Sequence, residues 1–87
     1  MGKRDIKARI RVALAKADPI GTELSLEERM DEYSLEAGQI ARKIVQGETL
    51  EKAASTVFRD TCHLELSRVT VRNIVAEYEA ASEKPAA

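Results

Sequence analysis

The sequence predicts an all-α fold, a compact four-helix domain, on three observations. Apolar residues recur at helical spacing along most of the 87 residues, cap-forming residues precede the apolar runs, and no useful stretch alternates with the period of a strand. That length gives one compact domain, assigned to residues 1–81, with 82–87 read as a flexible small and polar tail.

From Arg4, residues Ile6, Ile10, Ala13, Leu14 and Ala17 share one helical face and define the first helix. Pro19 disfavours helix at Asp18, and Gly21 permits the chain to reverse. Ser25 and Glu28 have the capping-box spacing, with acidic residues crowding the turn that follows. Leu26, Met30, Tyr33, Ala37, Ile40, Ala41 and Ile44 then keep one stripe, favouring a single second helix to Gln46 that ends before Gly47; a break at Ser34 is the competing reading. Leu35 lies opposite that stripe, so it is exposed or marks the break. Thr49 is the expected cap of a third helix with Leu50, Ala53, Ala54, Val57 and Phe58 inward. That helix ends somewhere between Arg59 and His63. Ser67 caps a fourth, whose inward face is Val71, Ile74, Val75 and Tyr78 and whose outward face is Val69, Asn73 and Ala76.

The composition narrows the function classes. No apolar run approaches the roughly 20 residues of a membrane span, and the basic start lacks a secretory apolar block, so a cytoplasmic protein with no membrane partner is expected. Cys62 has no second cysteine for a disulfide or a shared metal, and its neighbour His63 projects about 100° away on a helix. A buried thiol beside a surface imidazole is the expectation. There is no glycine-rich phosphate loop, and Glu27, Glu28, Asp31 and Glu32 read as a solvated helix face. The chain is therefore read as non-enzymatic, without cofactor, metal or small-molecule substrate.

"TLEKAA" at Thr49 to Ala54 resembles the opening of a helix-turn-helix unit, and "LSRVTVRNI" at Leu66 to Ile74 resembles the recognition helix of the Lac repressor family. The resemblance implies a variant helix-turn-helix pair at the C-terminal end, because the connection is several residues longer than the compact spacing and carries no glycine. It also implies that Arg68, Val69 and Asn73 read bases while Ser67, Thr70 and Arg72 lie nearer phosphates. Independently of the family, an outward Val69 beside Asn73 suits a thymine methyl next to an adenine, or a small apolar contact with a protein. Gly47, Thr49, Ala54 and Phe58, followed by Arg68 and Arg72, more loosely resemble helix-turn-helix variants among regulators of conjugative-element transfer, where some stand-alone copies act as antiactivators.

Charge bears on the choice of partner. The net charge is -1, yet residues 1–18 hold six basic groups against two acidic ones, and residues 19–33 hold five acidic groups against Arg29. Lys3, Arg4, Lys7 and Arg11 are thus candidate contacts to a phosphate backbone or an acidic partner, and mutual attraction of the first two helices is the alternative. Three readings follow: a DNA-binding regulator, a regulator that docks onto another regulatory protein, and a helical interaction module or inhibitor with no role at DNA. A homodimer would help the first by pairing two reading helices, with Met30, Leu35 and Ile40 as its contact.

Overall fold

The computed structural model describes residues 3–83, with side chains described for residues 5–81. All regular structure among them is helical: α1 (Lys3–Ala17), α2 (Leu26–Glu32), α3 (Ser34–Val45), α4 (Leu50–Cys62) and α5 (Arg68–Glu83). There are five helices where four were expected, because the long second helix divides at Tyr33. The helix α5 runs two residues past the expected domain limit of 81, and most of the expected tail lies outside the described residues.

Local capping chemistry sets most boundaries. The Ser25 hydroxyl accepts from the Glu28 amide at 3.3 Å while the Glu28 carboxylate reaches back to the Ser25 amide, a complete capping box. Thr49 accepts from the Lys52 amide at 3.2 Å, and Ser67 from the Thr70 amide at 3.1 Å. Gly47 follows α3 with φ 103, a conformation that a side chain would strain.

The helix α1 lies at the centre, packing most extensively on α5 and α3 and also touching α2, while α4 covers α3 and leans on α5. Ile10, Leu14, Tyr33, Ile40, Phe58 and Ile74 are fully buried together. Ala37 and Ala41 on α3, with Ala53 and Ala54 on α4, are small enough to bring those two helices close. Tyr33 and Phe58 meet edge to face with ring centroids 6.1 Å apart.

The division at Tyr33 has a tertiary cause. Its backbone leaves the helical well (φ -91, ψ 9) before α3 resumes. The ring is fully buried, and its hydroxyl donates to Asp18 Oδ1 at 2.8 Å while accepting from the Ile20 amide at 3.0 Å. The side chain thus ties the α2–α3 bend to the turn after α1. With the axis redirected, Leu26 and Leu35 are exposed and α2 buries no residue fully. Arginines tether α2 instead: Arg11 donates to the Met30 carbonyl at 2.7 Å and Asp31 at 3.0 Å, and Arg29 to the carbonyls of Leu24 at 3.0 Å and Ala15 at 2.8 Å.

Candidate functional site

The corner between α4 and α5 presents most of the residues singled out from the sequence. His63 ends α4 in the left-handed conformation (φ 54, ψ 35), and its amide and that of Leu64, the latter at 3.1 Å, both donate to the Phe58 carbonyl, which closes the helix end. Leu64 and Leu66 turn against the core, so the five-residue connection 63–67 is held by backbone closure and apolar contact. No glycine is required because His63 adopts the left-handed turn itself.

Beyond Ser67, the helix α5 divides as helical geometry demands. Ile74 is fully buried, Val71, Val75 and Tyr78 are half-buried, and Arg68, Val69, Arg72, Asn73 and Ala76 are exposed, Val69 at 66 %. Ser67 and Thr70 are engaged with each other, their hydroxyl oxygens 3.0 Å apart in the helix cap. Arg68 and Arg72 stand one turn apart, and neither has an ion-pair partner among the described residues.

An open groove of about 370 Å³ runs between α4 and α5. Leu66, Val71 and Val75 supply its apolar surface, Arg68 and Arg72 its basic edge, and Glu51 and Ser55 come from α4. The sequence reading did not include Glu51 and Ser55; their one clue was a spacing of one turn on the flank of the apolar stripe.

The charge order along α5 is unusual for this molecule. The first turns of α1, α2, α3 and α4 carry an acidic residue, which favours the positive end of the helix dipole, whereas the first turn of α5 carries none and begins with Arg68. Glu77 and Glu79 sit toward the other end. Arg68 thus stands against the helix dipole, and Arg72 follows one turn further along.

The basic residues of the first helix are distributed differently. Arg9 lies 3.7 Å over the Tyr78 ring and donates to the Tyr78 carbonyl at 2.8 Å, clamping α1 to α5. Arg11 is committed to α2, as the mutual attraction of the first two helices required. Lys7 is exposed on the α3 side, its terminal carbons beside Gly38. The side chains of Lys3 and Arg4 lie outside the described residues.

Two polar sites elsewhere were not read from the sequence. Asp18 takes hydrogen bonds from the Tyr33 hydroxyl and from the Thr22 amide and hydroxyl, with Arg29 4.0 Å away. Burial pushes the Asp18 carboxyl up, but those donors and Arg29 outweigh it and hold the group below its ordinary value. Burial, reinforced by the charges of Asp18 and Glu36, pushes the Tyr33 phenol well above its usual range. Glu36 is buried on α3, where Oε2 accepts from the half-buried Cys62 thiol at 3.6 Å and Oε1 has no hydrogen-bond partner among the described residues. Burial and then Glu36 push that thiol up, so at neutral pH it is a donor; His63 beside it is exposed.

Among the described residues no group of three His, Cys, Asp or Glu gathers to hold a metal, and no helix is long and apolar enough to cross a membrane. No protein-family model, curated protein or solved structure matches the chain.

Proposed function

We infer that this protein is a small, non-enzymatic regulator of the helix-turn-helix-variant kind, and that it acts by docking onto another regulatory protein through the α4–α5 groove, in the manner of an antiactivator. One observation carries the reading: an apolar channel lined by Leu66, Val71 and Val75 runs beside two arginines that have no ion-pair partner among the described residues. Such a surface suits an amphipathic helix that lays apolar side chains into the channel and sets carboxylates against Arg68 and Arg72. Glu51 on the facing wall favours a protein, which can offer it a cation, over a uniform line of phosphates.

A DNA-binding reading retains its own support in the exposed set Arg68, Val69, Arg72 and Asn73 at the start of α5. The two readings separate in one experiment. An unlabelled amphipathic peptide, with leucines on one helical face flanked by glutamates, is titrated by NMR into the isotope-labelled full chain, beside a mixed-sequence DNA duplex at low and moderate salt. Docking predicts shifts centred on Leu66, Val71 and Val75 that disappear in Arg68→Glu/Arg72→Glu. Salt-sensitive duplex binding centred on Val69 and Asn73, with no response to the peptide, overturns the docking reading in favour of DNA.

A further inference from the structure

We propose that the outer face of α2 and α3 is a self-association surface, and that its occupant is a second copy of this chain in antiparallel, two-fold register. This face lies on elements other than the groove, and its pairing holds whatever the groove takes. Leu35 is 62 % exposed at its centre, in a shallow depression with Gly38 one turn further along. Asp31 and Glu32 form one end of the depression, and Arg42 the other. Asp31 is already paired with Arg11, but among the described residues Lys7, Glu32 and Arg42 have no ion-pair partner.

A surface with an acidic end and a basic end around an apolar centre is complementary to itself after a half-turn, since an isologous contact sets each end on the other. An axis between Leu35 and Gly38 seats each Leu35 over the second copy's Gly38 and brings each Arg42 to the second copy's Asp31 and Glu32. Gly38 has no side chain to prevent that approach. The nearest atoms to the space a Cβ would fill there, 3.5–3.9 Å away, all belong to the flexible end of Lys7, which swings aside at small cost and turns its ammonium toward the second copy. A partner of one charge sign would satisfy only one end. Ile40, an expected dimer contact, has no part in this surface because it is fully buried in the core.

Sedimentation of the full chain from micromolar concentration to about 1 mM tests the pairing. The expected result is a concentration-dependent dimer that weakens with added salt. Leu35→Asp, Glu32→Lys and Arg42→Glu should each weaken it by roughly tenfold or more, with far-UV circular dichroism unchanged. An equimolar mixture of Glu32→Lys and Arg42→Glu should dimerise again, because each variant then meets its opposite charge. A native chain that stays monomeric throughout overturns the proposal. So do single reversals that dimerise like the native chain, or a mixture that fails to pair.

Discussion

Two corners of this molecule end a helix on a left-handed residue that is not glycine, Asp18 (φ 45) after α1 and His63 (φ 54) after α4; Glu23 (φ 61), the third such residue among those described, lies within the loop before α2. Asp18 is held by side chains, accepting from Tyr33 and twice from Thr22 beside Arg29, and it anchors the bend between α2 and α3. His63 is held by the Phe58 carbonyl and by the apolar contacts of Leu64 and Leu66 on either side of the turn. Polar side chains at the first corner are consumed in fixing the fold. At the second, backbone and core fix the fold, and the charged side chains that follow are left facing outward, which is why the candidate docking surface lies there.

Asp18→Ala should have the largest effect. Losing the acceptor shared by three donors should cost about 2–3 kcal/mol in urea denaturation, because it strands the Tyr33 hydroxyl. The same carboxyl gives this corner a pH dependence. Its value is lower in the folded chain than in the unfolded one, so its stabilisation is present above the unfolded value of 3.8 and is lost as pH falls through the lower folded value. The stability gap between the native chain and Asp18→Asn should be constant above about pH 5 and shrink below about pH 4; a gap that widens on acidification would contradict the assignment.

Tyr33→Phe comes next, at about 1–2 kcal/mol, since the ring still packs while the Ile20 amide and Asp18 lose their buried partner. Glycine substitution then sets the two corners against each other. His63→Gly relieves the left-handed strain and should raise stability by roughly 0.5–1 kcal/mol, whereas Asp18→Gly relieves similar strain but loses the network and should be net destabilising. Equal signs at the two sites, measured by the same denaturation, would erase the distinction. The smallest expected change is at the docking edge: Arg68→Ala/Arg72→Ala should move stability by no more than about 0.5 kcal/mol while removing peptide binding. A large loss of stability would place these arginines among the groups that hold the fold.

Most of the helical framework was legible in the sequence. The faces of α1 and α4 needed only periodicity, and Ser25, Thr49, Ser67 and Gly47 mark ends through interactions within a few residues. Leu35 was legible as a residue off the stripe, with exposure and a break as its two readings, and both hold. The single long second helix was not, since the apolar stripe runs through Tyr33 without interruption. The candidate face was half legible: Val69 and Asn73 followed from the helical wheel, and Arg68 and Arg72 were added by the helix-turn-helix resemblance, but their groove was not legible, because Glu51 and Ser55 reach it from a different helix.

The sequence by itself therefore determined the helical class, the caps and which side of α1, α3, α4 and α5 faces inward, because all of these depend on spacings of three or four residues; for α2, where Leu26 is exposed, it did not. Tertiary structure decided the bend at Tyr33, the Asp18 network, the Arg9–Tyr78 clamp and the groove between α4 and α5. Each depends on groups far apart in the chain that meet only after the helices pack, with partners that no local pattern specifies.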